Sequence, residues 1–239
     1  WLPSLDVSQS DQSDVRLMND FRLQRRRPVS QSMMYTAQAW PEALREAQPT
    51  AYLQRQALQL PARGNPQARQ WAADLQRRYS QPDRLIEALL REFSEQPFHY
   101  TLKPPVLGPD SVDDFLFASR QGFCAHYAGA MVFVLRAAGI PARVVAGYQG
   151  GEFNPDGRYL TVRQFDAHAW VAYWQPQVGW PPVHPTAADA PQRIEQGLEQ
   201  AFAADAAFLA ASPLSAPRYR PLPGPHALPM GLRHRTYCR

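Results

Sequence analysis

Two cysteines and six histidines supply the chain's thiols and imidazoles, and one cysteine sits where chemistry is favoured. Cys124 follows Gly122-Phe123 and opens an apolar run that continues through Ala137-Ala138 and stops at Gly139-Ile140-Pro141. Ala128, Met131, Val132 and Leu135 recur at i, i+3, i+4 and i+7, one stripe of an α-helix. Met, Phe and Val on the remaining faces predict a helix buried nearly all round. Gly139 suits the left-handed residue just past a helix end, and Pro141 forbids continuation. Cys124 is thus predicted in the first turn, where unpaired amide donors and the positive end of the helix dipole favour the thiolate, the reactive form. The helix alone leaves a second reading open, a buried and inert thiol, since free cysteine is among the most buried residue types.

The histidines enter downstream. Residues 143–148, 159–163 and 169–174 read as strands separated by Gly150-Gly151 and Asn154-Pro155-Asp156-Gly157. His168 lies in Asp166-Ala167-His168-Ala169-Trp170-Val171 at the head of the third, and a fourth segment, 179–183, leads into His184-Pro185-Thr186. A helix-borne cysteine followed by a strand-borne histidine is an arrangement in which imidazole takes the thiol proton. His126, two positions after Cys124, points about 200° away on a helix and reads as a packing or hydrogen-bonding group. Asp166, two residues before His168 on the same strand, shares its face, but it would orient the ring poorly from there and reads as a surface or turn residue. Trp170 reads as core packing or as a wall of the site. Cys238, one residue from the chain end, reads as a free exposed thiol.

Taken together, Gly122-Phe123-Cys124-Ala125-His126-Tyr127-Ala128, Gly139 to Tyr148, and Asp166-Ala167-His168-Ala169-Trp170-Val171 resemble the core of the transglutaminase-like superfamily. More narrowly, they resemble bacterial inner-membrane proteins that carry a periplasmic transglutaminase domain between membrane segments. The resemblance runs from about Thr50 to about Phe202. It implies an α+β fold, papain-like, with helices packed on an antiparallel sheet. It places Cys124 as nucleophile and His168 as base, separated by 168 − 124 = 44 positions. The family's third member is an aspartate in Val-Asp-Pro-Thr, and here the text is Val183-His184-Pro185-Thr186, so His184 occupies that slot.

The implied chemistry is acyl transfer: Cys124 attacks a protein glutamine carboxamide, ammonia leaves, and an amine takes the acyl group from the thioester. The implied partners are a glutamine-bearing protein or peptide and an amine acceptor. No cofactor and no metal are required. His184 can accept a hydrogen bond from His168 but cannot stabilise an imidazolium as a carboxylate does, so activity is expected to be weakened. Loss of the carboxylate's orienting role in a related triad costs on the order of 10⁴ in turnover. Convergence of Cys124, His168 and His184 would also create a Cys-His-His set able to capture zinc adventitiously. A papain-like amide hydrolase and a non-catalytic binding domain are the alternative functions.

The elements that position these residues follow from periodicity. Asn65-Pro66 starts a helix with the apolar stripe Ala68, Trp71, Ala72 and Leu75, and Pro82 starts a second with Leu85, Ala88, Leu89 and Phe93. Residues 58–61 read as a brief extended piece, 98–101 as a short strand, and 111–117 as a capped short helix delivering the chain to Cys124. Residues 194–209 read as a helix. Residues 1–49 are poorly patterned, with isolated strands at most, and the domain is expected over 50–211. The tail, 212–239, holds six prolines, five arginines and no acidic residue, and is expected to be disordered.

Composition narrows the class. The chain has 239 residues, a net charge of +4 and a pI near 9.3, with Lys103 as its only lysine. The arginines are scattered without aromatic interleaving, so nucleic-acid binding is not expected. Starting at Trp1, the sequence reads as a fragment or processed form. Its longest apolar run is too short for a membrane span, so the piece itself is expected to be soluble. The resemblance implies the periplasmic side of the inner membrane, with membrane attachment through regions outside this sequence.

Overall fold

The computed structural model describes residues 1–5, 7–40, 43–191 and 233–238, the last as backbone. They fall into two compact units, Trp1–Arg45 with Ala216–Arg239, and Glu46–Ser215.

The regular structure among the first unit's described residues is all β. Strands β1 (Ser8–Gln9), β2 (Val15–Leu17), β3 (Leu23–Arg25) and β4 (Met33–Ala39) are followed, at the other end of the chain, by a strand over Arg233–Cys238. β2 and β3 form an antiparallel pair, and β4 lies between β1 and Arg233–Cys238, antiparallel to both. Leu2, Val15, Leu23, Tyr35 and Ala37 make its small core. β4, the longest, displays alternation, with Tyr35 and Ala37 buried between exposed neighbours. Strands of two or three residues carry too few positions for a period of two to show, which is why 1–49 looked unpatterned. Of the tail 212–239, only 233–238 fall among the described residues. The helix predicted over 194–209 lies outside them.

The second unit holds the predicted α+β arrangement. Its helices are α1 (Ala51–Ala57), α2 (Pro66–Arg78) and α3 (Pro82–Glu95); then come β5 (His99–Tyr100) and α4 (Ser111–Asp113), which runs on as a π-helix over Asp114–Ser119. β6 (Gln121–Gly122) pairs in parallel with β5 and leads into α5 (Cys124–Ala137). β7 (Ala142–Tyr148), the hairpin β8 (Glu152–Asn154) and β9 (Tyr159–Thr161), β10 (Ala167–Tyr173), β11 (Pro182–Val183) and α6 (Thr186–Asp189) complete it. The site sheet has the order β11-β10-β7 and is antiparallel throughout. The sequence does not show α1: Gln54, Arg55 and Gln56 leave it without a strong stripe, and Thr50 starts it by accepting the Leu53 N–H at 3.3 Å.

α5 is the centre of the core. Nine of its residues are buried, including Tyr127, Ala128, Met131, Val134 and Leu135. They share one cluster with Ala68, Ala72 and Leu75 of α2, Leu85, Leu89 and Phe93 of α3, and Ala169, Val171 and Tyr173 of β10. An all-round apolar helix needs partners on every side, and α2, α3 and the sheet supply them.

A reciprocal polar lock fixes the segment that leads to α5. Asn65, left-handed at φ 52°, accepts the N–H groups of Val112 and Asp113 at 2.9 and 3.2 Å. Asp113 in turn accepts the N–H groups of Gln67 and Ala68 at 2.9 and 2.8 Å. Each residue thus caps the other's helix, and both are buried. Asp113→Ala strands two amides and is expected to cost about 2–3 kcal/mol in urea unfolding. Asp113→Asn, keeping one acceptor oxygen, should lose less.

Candidate active site

Gly122 and Phe123 set the approach to Cys124. A Cβ on Gly122 would fall 2.7 Å from His126 Cβ and 2.9 Å from a Phe115 ring carbon, so only glycine fits. Phe123 is the N-cap of α5 and has no side-chain acceptor to offer. Instead His126, at N3, reaches back, and its Nδ1 accepts the Phe123 N–H at 3.2 Å. This is the return arm of a capping box, and it ties His126 to the helix start as a hydrogen-bonding group. Burial pushes the His126 imidazole below its ordinary range, as an accepting Nδ1 requires. The N–H groups of Cys124 and Ala125, at N1 and N2, make no hydrogen bond among the described residues. Two orphan donors at a helix start, beside a free and buried thiol, are the ingredients of an oxyanion site.

The strand side is equally specific. In β10, Ala169, Val171 and Tyr173 join the core around α5, while His168 and Trp170 alternate with them. His168 pairs with Gly147 of β7 across the ladder. A Cβ on Gly147 would lie 2.7 Å from Trp170 Cη2, so the indole lies where another residue would carry a side chain. Trp170 stands near His168, at a ring-centroid distance of 6.3 Å and 22° between planes. His184, one residue beyond β11, completes a set of three near-parallel rings, 6.2 Å and 4° from His168 and 5.8 Å and 26° from Trp170.

The structure therefore brings His168 and His184 together, with Trp170 as third ring. His184 Nδ1 is buried and has no hydrogen-bond partner among the described residues, and burial pushes its imidazole down as well. α5, which opens with Cys124, shares its core with β10, the strand that carries His168, and Tyr148 at the end of β7 pairs with Ala167, the residue before His168. The Cys-His-His metal set is not formed: among the described residues no group of three His, Cys, Asp or Glu could hold a metal ion.

Two carboxylates near the site have other tasks. Asp166 is not on the His168 strand but in a 3₁₀ turn over Gln164–Asp166, where its side chain accepts the Arg163 N–H at 2.7 Å. Asp189, at the end of α6, accepts a short hydrogen bond from the Tyr127 hydroxyl. Burial and the Asp189 carboxylate hold the Tyr127 phenol far above its ordinary range. This bond ties the nucleophile helix to the turn that follows His184. Tyr127, Asp189 and Gly147 were not singled out from sequence. The pairing of a glycine opposite His168 becomes visible only once register is known.

Residues 69–185 match the transglutaminase-like superfamily, and the chain belongs to that superfamily. It is similar to the protein-glutamine gamma-glutamyltransferase of Pseudomonas aeruginosa strain PAO1, 62% identical over 93% of this chain and 33% of that protein. The chain thus spans about a third of the length of that curated relative. It is also similar to the crystal structure of the periplasmic domain of TgpA from Pseudomonas aeruginosa, at 63% identity and a TM-score of 0.82, covering 84% of this chain and 70% of that one. A second structure of that domain, bound to ethylmercury, matches with a TM-score of 0.79 at 62% identity over 82% of this chain and 70% of that one.

Two outcomes follow. Gly147→Ala should displace the Trp170 indole and shift both imidazole spectra in NMR, while Gly147→Ala with Trp170→Leu should relieve the clash and recover most of the lost stability. The depressed His126 and His184 imidazoles bind protons less readily folded than unfolded. Stability is then complete above the unfolded value of about 6.5 and declines as pH falls through the folded values. Urea midpoints at pH 7.5 and pH 5 should differ in that direction, and His126→Asn with His184→Asn should flatten the difference.

Proposed function

We propose that residues 50–211 form a cysteine-dependent acyltransferase domain acting on protein glutamine side chains. The observation that carries it is Cys124 at the N1 position of a buried helix, beside two amide donors unpaired among the described residues, the helix sharing its core with the strand that bears His168. The relative's name, protein-glutamine gamma-glutamyltransferase, supports the same chemistry, and the compact unit Glu46–Ser215 supports the boundaries.

Cys124 Sγ, as thiolate, bonds to the carboxamide carbon, and the Cys124 and Ala125 N–H groups receive the developing oxyanion. His168, as imidazolium, donates its proton to the departing nitrogen; the C–N bond breaks and ammonia leaves a thioester. An amine then attacks the same carbon, His168 takes its proton, and the C–S bond breaks to return the thiolate. One lost oxyanion donor costs roughly 3–4 kcal/mol of barrier, so the helix start matters as much as the thiol. His184 holds the third position and supplies no negative charge, so turnover is reduced. No described helix is long and apolar enough to cross a membrane. By likeness to the periplasmic domain of TgpA, we place the domain on the periplasmic side of the inner membrane.

A fluorescent primary amine and a glutamine-bearing protein provide the test. The wild-type chain should incorporate the amine above the Cys124→Ala background, and His184→Asp should raise incorporation by about tenfold to 10⁴-fold. Release of acid with no amine incorporated would instead identify an amide hydrolase. A His184→Asp variant that folds normally yet gains nothing would remove residue 184 from the triad.

A further inference from the structure

We propose that the outer edge of β7 is the docking strand for the glutamine-bearing segment, which adds to the sheet as an extended, antiparallel or parallel fourth strand. This rests on the acyl-transfer reading for the identity of the occupant, but the surface stands on geometry of its own.

β7 is the terminal strand of the order β11-β10-β7. The Gln149 N–H donates to Asp166 O at 2.9 Å. Alternation along an antiparallel ladder then turns the N–H and C=O groups of residues 147, 145 and 143 toward β10. Those of Val144, Ala146 and Tyr148 point outward, and they have no backbone partner among the described residues. An edge of this length invites pairing, and chains that avoid it use lysine, proline or a bulge. β7 uses none of these. Its seven-residue register with β10 is unbroken, and its one charged residue, Arg143, is occupied 4.0 Å over the Trp180 ring and 3.5 Å from Glu46.

The side chains favour the same occupant. Val144 and Tyr148 are 45% and 41% exposed, and Ala146 between them is also exposed. They share the sheet face on which α5 packs, since they pair with Val171, Ala169 and Ala167. α5 covers β10 and Ala142 there and leaves Val144, Ala146 and Tyr148 open, giving an apolar shelf beside the helix. A peptide along this edge finds main-chain partners at every second residue, apolar neighbours for alternate side chains, and, at the Tyr148 end of the strand, the start of β10 where His168 follows Ala167. Recognition would be carried by backbone, which tolerates varied sequences around the glutamine.

The test uses binding, so that failed turnover and failed docking are separate results. The full chain carrying Cys124→Ala is titrated with a ten-residue peptide holding a central glutamine among alternating valine and threonine. Two further peptides are N-methylated at odd or at even positions. Strand addition predicts that one methylated series loses affinity by at least about tenfold, the equivalent of one or two hydrogen bonds, while the other binds as the parent does. It also predicts slowed amide exchange at Val144, Ala146 and Tyr148 on binding. Equal affinities for the two methylated series, no binding of the parent peptide, or unchanged exchange at these amides would overturn the proposal. So would protection that appears without peptide and grows with protein concentration, which would assign the edge to a second copy of the chain. Absence of amine incorporation by the wild-type chain, with the docking signature intact, would remove the acyl-transfer reading alone.

Discussion

Helix α5 has almost no face it can show to water, and the second unit is built around that fact. Burial of a valine- or leucine-sized side chain is worth about 1.5–3 kcal/mol, and α5 buries Met131, Val132, Phe133, Val134 and Leu135 in succession. No single neighbour can enclose such a run, so α2, α3 and the sheet close on it from different sides. The same enclosure fixes where the helix begins. A helix held all round cannot slide, so Cys124 and its two unpaired amides stay at one place relative to β10.

Polar groups inside this enclosure act as registration marks. The Asn65–Asp113 exchange joins the start of α2 to the segment that delivers the chain to Cys124. The Tyr127–Asp189 bond joins α5 to the turn after His184. Gly122 and Gly147 do the opposite work, removing side chains where His126 and Trp170 must lie. In the resulting site β10 carries two of the three rings, His168 and Trp170, His184 follows β11, and the thiol opens α5. Pro185 and α6 follow His184 as a turn anchored on Tyr127 through Asp189.

Much of this was legible in the sequence, for identifiable reasons. α2, α3 and α5 announce themselves because each buries a stripe at helical spacing, and Pro66, Pro82 and Gly139 mark their ends. β7 and β10 were placed within two residues because β-branched and aromatic residues lie between clear turn signals. β8 was not, since Glu152-Phe153-Asn154 is a surface strand with Phe153 63% exposed, and exposure erases the pattern that burial writes. The π-helical stretch over Asp114–Ser119 reads like any helix, because its apolar residues Phe115 and Leu116 are compatible with either winding. The spacing puts Asp166 on the His168 strand, whereas its side chain closes a 3₁₀ turn on the Arg163 amide just before it. The parallel rings of His168, Trp170 and His184 depend on register, and register is a property of pairing that no single strand contains.

The central claim is that Cys124 is an activated nucleophile whose activation depends on His168. The rate of Cys124 alkylation by iodoacetamide, followed from pH 4 to 9 in the wild-type chain and in His168→Ala, tests it without any substrate. Activation predicts that wild-type Cys124 reacts faster than a small model thiol at mildly acidic pH, and that His168→Ala removes the excess while the fold is kept. A wild-type profile that follows the model thiol, or one that His168→Ala leaves unchanged, would contradict it.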